Sequence, residues 1–163
     1  MLTELHIRDV VLIDQLTLKF DRGMTALTGE TGAGKSILLD AVGLALGARG
    51  DKSLIRKGAD RLSITAVFAL PASNPEHKNT YVHRKALMEL MREYDVPLVN
   101  GEIIDNSDLD ALIKAGFDLT IRRSLSVDGR GKAYINDTIV SVSTLRLFGG
   151  YLIDIHGQFD THS

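Results

Sequence analysis

The sequence lacks several features that would assign it to common protein classes. None of its 163 residues is cysteine, which excludes disulfides, zinc–thiolate sites and thiol catalysis. No stretch approaches the ~18 uninterrupted apolar residues of a membrane span. The start of the chain, Met1 to Glu4, lacks the basic residues and apolar run of a signal peptide. We therefore expect a cytoplasmic protein with no membrane partner.

The chain also lacks a large excess of charge of either sign. Its formal net charge of −2 does not indicate a nucleic-acid binder. It does not exclude one, since phosphates respond to local patches of charge rather than to totals. The length, with 44% hydrophobic and 25% charged residues, is typical of one soluble globular domain with its own core.

Apolar residues in the first part of the chain alternate as they do in strands. Two short strands are predicted within residues 2–20, and a buried strand over 24–28 runs into a glycine-rich loop. Helical spacing then predicts a helix from Ser36 to Leu46, which Gly47 ends. A further alternating strand is predicted over 62–70.

The second part mixes helical and strand patterns. An amphipathic helix is predicted over 76–94, followed by a weakly patterned acidic stretch over 97–116. Strands over 119–127 and 132–135 flank Asp128-Gly129-Arg130-Gly131, a hairpin signature, and a short strand is predicted over 138–140.

The last part is predicted as a helix followed by a strand. Ser143 is a plausible N-cap for a helix through Phe148, and Gly149-Gly150 ends it. The apolar run from Tyr151 to Ile155 then predicts a buried strand.

One motif carries the chemistry. Residues Gly29-Glu30-Thr31-Gly32-Ala33-Gly34-Lys35-Ser36 match the P-loop pattern G-x-x-x-x-G-K-[ST] at every fixed position. The glycines allow successive backbone N–H groups to turn around a phosphate, and the following helix points its positive dipole end at it. We expect Lys35 to reach the β- and γ-phosphates and the Ser36 hydroxyl to bind Mg²⁺. The sequence therefore predicts ATP and Mg²⁺ as ligands.

Catalytic residues are not evident beside this motif. Hydrolysis also needs a carboxylate that anchors the magnesium ion and a group that positions water. Asp154 follows an apolar run but has no glutamate after it, and Asp105 lies in a polar stretch. We interpret Asp154 as an exposed strand residue and Asp105 as a loop carboxylate, and we expect the chain alone to be inactive as an ATPase.

Four stretches resemble the RecN family, bacterial ATPases of DNA double-strand-break repair in the SMC-like branch of the ABC ATPases. They are Gly23-Met24-Thr25 with the P-loop, Leu44-Ala45-Leu46-Gly47-Ala48-Arg49, the Arg122-Arg123 segment with Asp128-Gly129-Arg130 and Ala133-Tyr134-Ile135-Asn136, and Ile155-His156-Gly157-Gln158. The P-loop is common to ABC ATPases, whereas the hairpin and the His-Gly-Gln ending are typical of RecN.

The resemblance implies a fold and an assembly. The fold would be α/β, a P-loop NTPase of the ABC/SMC-like type, with residues 1–163 as the N-terminal lobe of a head and an antiparallel β subdomain beside the P-loop unit. Signature motif, magnesium carboxylate and catalytic glutamate would come from a C-terminal lobe of the same protein. Two heads would sandwich ATP as a head-to-head homodimer that acts on DNA at the nucleoid.

The resemblance also implies roles for single residues. Gln158 matches the Q-loop glutamine, which contacts Mg²⁺ or its water, and Arg56 is similar to an arginine near nucleotide and DNA. Two departures are present: Asp9-Val10 stands where many relatives have Asn-Phe, and residues 71–117 look like a helical and acidic insertion. The basic residues around Arg56 are interpreted either as DNA-phosphate contacts or as a solvated loop; they are Lys52, Lys57 and Arg61.

Two alternatives remain from the residues alone. A small P-loop kinase would have similar length, although such kinases usually reach the P-loop on the first strand and two strands come first here. A non-catalytic, nucleotide-gated interaction domain would differ only in whether another segment supplies a glutamate.

Overall fold

The computed structural model describes residues 1–20 and 32–156. The strands of this part are β1 (Leu2–Val10), β2 (Ile13–Lys19), β3 (Arg61–Leu70), β4 (Phe117–Ser126), β5 (Gly131–Ile135) and β6 (Thr138–Val140). The helices are α1 (Gly32–Ala45), α2 (Lys78–Glu93), α3 (Leu109–Ala115) and α4 (Val142–His156), with 3₁₀ turns at Lys52–Leu54 and Asn106–Asp108. None of the described helices is long and apolar enough to cross a membrane.

The strands form one antiparallel sheet in the order β2-β1-β3-β4-β5-β6. Its centre is β3, which pairs with β1 through Ile64 and Ile7 and with β4 through Ala66 and Ile121. Alternate residues of each central strand are buried, as the predicted strand over 62–70 requires. One face of the sheet is therefore apolar and the other polar.

Tight turns connect neighbouring strands in three places. The predicted hairpin between β4 and β5 is confirmed, with Gly129 at φ +89°. Asn136 and Asp137, both at positive φ, turn β5 into β6 as a type I′ turn demands. The β1–β2 turn is less ordinary, because Val11 adopts φ +51°, a conformation that β-branched residues rarely take.

The helices cover the apolar face of the sheet. Helix α1 packs against β1, β3 and β4, while α4 packs against β5 and α2 packs against α3 and α4. The side chains in this layer are almost completely buried; the largest include Phe68, Phe148, Leu62 and Met88. The antiparallel β part predicted beside the P-loop helix is confirmed by this arrangement.

The strand predicted from Tyr151 to Ile155 is wrong, because α4 continues through this segment to His156. The helix starts where the Ser141 Oγ accepts a hydrogen bond from Thr144 N at 3.0 Å, two residues before the predicted N-cap. Leu145, Phe148 and Leu152 are each fully buried at i, i+3 and i+7, which is the stripe of a helix.

The glycine pair within α4 does not end the helix either. Gly149 lies where α4 crosses the end of α1, and a Cβ atom there would come within 2.0 Å of the Leu46 carbonyl oxygen. The glycine is therefore needed for close approach of two backbones rather than for a helix stop.

Residues 71–117 are integrated into the helical layer. They contain α2 and α3, whose inward residues Leu87, Met91 and Ile113 are fully buried. The weakly patterned acidic stretch over 97–116 contains a 3₁₀ turn and α3. That these residues are an insertion relative to other heads remains a prediction.

Candidate functional site

The described part of the P-loop forms the beginning of α1. Gly32 to Ser36 lie in its first turns, whereas Gly29, Glu30, Thr31 and the predicted magnesium ligand Gln158 lie outside the described residues, as does the predicted strand over 24–28. Lys35 is half-buried and Ser36 is exposed. A Cβ atom at Gly34 would meet nothing within 4 Å among the described residues. The start of the helix is thus accessible to a ligand.

The charge at this end of α1 suits an anion. The first N–H groups of a helix have no intrahelical partner and carry the positive end of the dipole. The first turn of α1 contains no acidic residue that would compete for them, and Lys35 adds a full positive charge. Residue types and helix geometry therefore fit a bound phosphate group.

Apolar contacts with the sheet hold α1 in place. Leu38, Ala41, Val42 and Ala45 are buried at helical spacing. Because small residues stand at two of these four positions, the helix backbone lies close to the sheet. The direction in which the first turn points is consequently set by the packing of the whole helix.

The opposite end of α1 is held by a buried arginine on β4. Arg123 is only 3% exposed, and its Nη1 donates to the Leu44 carbonyl oxygen at 2.8 Å and to that of Ala48. Burial lowers the pKa of Arg123, and the nearby Arg146 charge adds to this effect. The role of Arg123 was not predicted, although an arginine at an inward position between Ile121 and Leu125 is a local sign of a buried polar contact.

A second arginine and two glycines complete the contact at this end. Arg146 of α4 donates from Nε to the Gly47 carbonyl oxygen at 3.2 Å. Gly47 ends the helix at φ +101° as predicted, and a Cβ atom there would lie 2.7 Å from the Arg146 Cα. The backbones of α1 and α4 therefore meet at Gly47 and Gly149.

Arg56 lies at the β1–β2 turn. Its Nε donates to Asp9 Oδ1 at 2.8 Å and its Nη2 to Asp14 Oδ1 at 3.5 Å. The hydrogen bond to the Asp9 carboxylate holds the pKa of Arg56 above its usual value. Backbone bonds from Arg56 N to Asp9 O and from Val11 N to Leu54 O fasten the surrounding link to the same turn. The carboxylates that contact Arg56 are thus Asp9 and Asp14, not those of the sequence neighbours Asp51 and Asp60.

The polar face of the sheet has a charge gradient along β3. Arg8 and Lys132 lie in the row of Ser63, and Arg122 lies in the row of Thr65. Glu4 pairs with Val67, two rows beyond Ser63 on the same face, and Asp118 pairs with Ala69, three rows beyond it. We call this polar face the open face and the end near Ser63 and Thr65 its basic end. The exposed cations of the basic end are Arg8, Arg61, Arg122 and Lys132.

Two features give the basic end local order. The Arg122 guanidinium stacks over the Tyr134 ring at 4.0 Å from its centroid. Beside it, a depression of about 170 Å³ is lined by Arg61, Ser124, Ser126, Asp128, Arg130 and Lys132. The Asp128 carboxylate in this depression accepts hydrogen bonds from Ser126 Oγ and from Arg130 N, and these lower its pKa.

The two carboxylates considered as magnesium anchors differ in what the structure shows. Asp105 caps the 3₁₀ turn at Asn106–Asp108 by accepting a hydrogen bond from Ser107 N at 3.3 Å, so the loop-carboxylate interpretation is confirmed. Asp154 belongs to α4 rather than to a strand end. In the part of the chain whose side chains are described, no three His, Asp or Glu residues cluster as metal ligands.

Comparison with known proteins assigns the family. The sequence matches the family described as an AAA domain over residues 4–143, which is most of the chain. The chain belongs to this AAA-domain family. The predicted P-loop NTPase class is thereby confirmed.

Curated relatives narrow the assignment within the AAA-domain family. The chain is 37% identical over 97% of its length to DNA repair protein RecN of Haemophilus influenzae, and 32% identical over 98% of its length to RecN of Bacillus subtilis. It spans about a quarter of the length of these relatives, 24% and 23% respectively. The resemblance to an N-terminal part of RecN is confirmed, and a small P-loop kinase is not favoured.

Solved structures of other proteins share the fold at low sequence identity. An SMC ATPase, solved in work on ATP-driven dimerization and DNA-stimulated activation, superimposes with a TM-score of 0.55 at 19% identity, covering 93% of this chain and 79% of that one. The recombination mediator RecF has a TM-score of 0.52 at 12% identity, covering 89% of this chain and 29% of that one. The architecture is therefore that of SMC and RecF heads.

Proposed function

We propose that this chain is the ATP-binding lobe of a RecN-like ATPase in DNA double-strand-break repair and recombination. The observation that carries the proposal is the complete P-loop motif, whose second half begins α1 with an accessible first turn and no competing acid. The RecN relatives, which match 97–98% of this chain, support the biological setting. We place the protein in the cytoplasm, on the nucleoid when it acts on DNA.

The residues of the motif divide the work of holding MgATP. Backbone N–H groups of residues 29–36 would surround the phosphates, and Lys35 would neutralise the charge of the β- and γ-phosphates. Ser36 and Gln158 would be oxygen ligands of Mg²⁺, which suits a hard cation. When bound, the ion neutralises charge that develops on the phosphates during hydrolysis.

Hydrolysis would need groups from outside this chain. Asp105 is engaged as a turn cap, and Asp154 belongs to a helix rather than to a strand end. We infer that a C-terminal lobe supplies the magnesium carboxylate and the catalytic glutamate. A second head would complete the site, in keeping with the ATP-driven dimerization named for the SMC ATPase that shares this fold.

DNA would contact the basic end of the open face. Four exposed cations lie there on a chain whose total charge is −2, and phosphate backbones respond to such local patches. The short side chains of Ser63, Thr65 and Ser124 separate the cations, which leaves the surface open to a broad partner. The guanidinium of Arg56, which lies at the β1–β2 turn, is a further candidate for contact with nucleotide or DNA.

ATP binding by the Lys35→Ala variant tests the proposal. Losing a charge-assisted hydrogen bond to phosphate costs about 1.5–3 kcal/mol, so the dissociation constant measured by calorimetry should rise at least about tenfold. Lys85→Ala removes an exposed lysine from α2 and serves as the matched control. The titration is made with the chain and repeated with the C-terminal lobe added. Equal affinities of the Lys35 variant, the control and the unaltered protein would refute the P-loop assignment.

A further inference from the structure

The buried arginine at the end of α1 occupies a place where an apolar side chain would be expected. Arg123 alternates along β4 with Ile121 and Leu125 on the side that faces the helices, and all three are buried. A buried cation is disfavoured by desolvation unless hydrogen bonds compensate for the lost water. The hydrogen-bond partners of Arg123 therefore explain its position.

What Arg123 contacts suggests a more specific role. Its Nη1 reaches two carbonyl oxygens, those of Leu44 and Ala48, in the last turn of α1 and just beyond it. The Leu44 carbonyl lies at the negative end of the helix dipole and also accepts a hydrogen bond from Gly47 N at 3.1 Å, while Ala48 follows the helix end. The guanidinium is planar and rigid. Its bonds to two fixed oxygens therefore define the position of the helix end and do more than neutralise the partial charge there.

The position of this helix end determines the position of the other. Helix α1 has 14 residues, hence a length of about 21 Å, and behaves as one rod between the phosphate-binding turn and the contact with Arg123. Buried residues from Leu38 to Ala45 hold one side of this rod against the sheet. A change in the position or tilt of the rod at Leu44 therefore also moves Gly34 and Lys35.

Helix α4 is fastened to the same point. Arg146 donates to the Gly47 carbonyl oxygen, and Gly149 permits backbone contact with Leu46. Gln158 follows the end of α4 by two residues in sequence. The end of α1 is thus the place where β4, the P-loop helix and the helix leading to Gln158 are joined.

We propose that Arg123 is a positioning residue of the nucleotide site, which fixes the phosphate-binding turn by holding α1 at its far end; this rests on the ATP-binding function proposed above. Arg146 assists by tying the same end to α4. Neither side chain touches the nucleotide. Phosphate hydrogen bonds weaken steeply when their donors are misplaced. In aligned enzyme sites a displacement of about 1 Å can lower the reaction rate as much as 10²-fold.

The decisive variant is Arg123→Leu, which suits the apolar neighbours of the site. Its control is Arg92→Leu, which removes an exposed arginine from α2. Melting temperatures are measured first, and ATP affinity is then compared by calorimetry at a temperature where every variant is folded. Loss of stability in a protein that is still folded does not change its dissociation constant, so the affinity separates positioning from a structural role.

We expect Arg123→Leu to bind ATP about tenfold more weakly, the loss that follows when one charge-assisted hydrogen bond to phosphate is weakened, and Arg92→Leu to bind it as the unaltered protein does. Hydrogen exchange at the amides of Gly34, Lys35 and Ser36 should be faster in the Arg123 variant alone. If Arg123→Leu does not fold, Arg123→Lys and Arg146→Leu take its place. Both should also bind ATP more weakly than the unaltered protein, by a smaller factor.

Two results would overturn the proposal in different ways. Unchanged ATP affinity in a folded Arg123 variant, together with the expected loss in Lys35→Ala, would refute the role of Arg123 and leave the ATP-binding function intact. Unchanged affinity in both variants would refute the proposed function as well.

Discussion

Arg56 donates its Nε hydrogen to the Asp9 carboxylate at 2.8 Å, joining two residues that are 47 positions apart in the sequence. Asp14 provides a second, longer contact at 3.5 Å. Backbone hydrogen bonds beside these side chains hold the link that contains Arg56 against the β1–β2 turn. Arg56 must therefore exchange its two carboxylates for phosphate before it contacts nucleotide or DNA.

Removing the Asp9 charge should make Arg56 more available. We expect Asp9→Asn to raise the affinity for duplex DNA in low salt, because the guanidinium loses an anionic partner that competes with phosphate. The effect is modest, since pairs at partly exposed sites contribute about 0–1 kcal/mol. Asp14→Asn, which alters a more exposed carboxylate, should have a smaller effect. Fluorescence anisotropy with a labelled oligonucleotide measures both.

The double variant shows whether Asp9 acts through Arg56. Adding Asp9→Asn to Arg56→Gln should change DNA affinity by less than adding it to the unaltered protein. An equal gain on both backgrounds would mean that Asp9 affects DNA only through overall charge.

The contact between α1 and α4 makes neighbouring glycines differ sharply in what they tolerate. In Gly149→Ala the new Cβ would come within 2.0 Å of the Leu46 carbonyl oxygen, so the two helices must move apart. Overpacking of this kind costs about 1–3 kcal/mol or more. Gly150→Ala, the next residue of the same helix, meets nothing within 4 Å among the described residues and should stabilise the helix by about 1 kcal/mol.

Urea unfolding of the two variants measures this difference. The free energy of unfolding should fall in Gly149→Ala and rise in Gly150→Ala relative to the unaltered protein. Equal effects of the two substitutions would contradict the close approach of α4 to Leu46.

Local chemistry explains which parts of the fold could be predicted. The β4–β5 hairpin follows from Asp128-Gly129-Arg130-Gly131, and β3 from the apolar residues at every second position over 62–70. The run from Tyr151 to Ile155 was misassigned, because a short segment with four apolar residues suits a strand and a buried helix equally. Gly149-Gly150 then favoured the strand, although Gly149 serves a contact with Leu46 that no local pattern reveals.

The candidate site likewise has a part that could be predicted from local sequence and a part that could not. The P-loop could be predicted because its residues are contiguous and each has a chemical reason to be there. The partners of Arg56 and Arg123 lie 47 and 79 residues away in the sequence, so only the folded chain identifies them. An inward-facing arginine on an alternating strand was the one local sign of the second contact.

The basic end of the open face should account for most of the salt-dependent affinity for DNA. Arg61, Arg122 and Lys132 lie on three adjacent strands, and Tyr134 holds the Arg122 guanidinium in place. Each phosphate contact releases counterions and contributes about 0.9 to the slope of log affinity against log salt concentration. Replacing all three cations by glutamine should therefore lower that slope by about 2.7 and weaken binding at low salt.

A variant of equal charge serves as the control for this prediction. Lys78, Lys85 and Lys114 are exposed on α2 and α3, away from the sheet, and their triple glutamine variant carries the same net charge as the first. If DNA responded only to total charge, the two triple variants would lose affinity alike, and the open face would have no special role. We expect instead that the helix variant keeps nearly the full slope, because its lysines lie outside the surface on which the phosphate backbone rests. Anisotropy titrations at four or more salt concentrations give the slopes directly, and circular dichroism of each variant establishes that the sheet is intact.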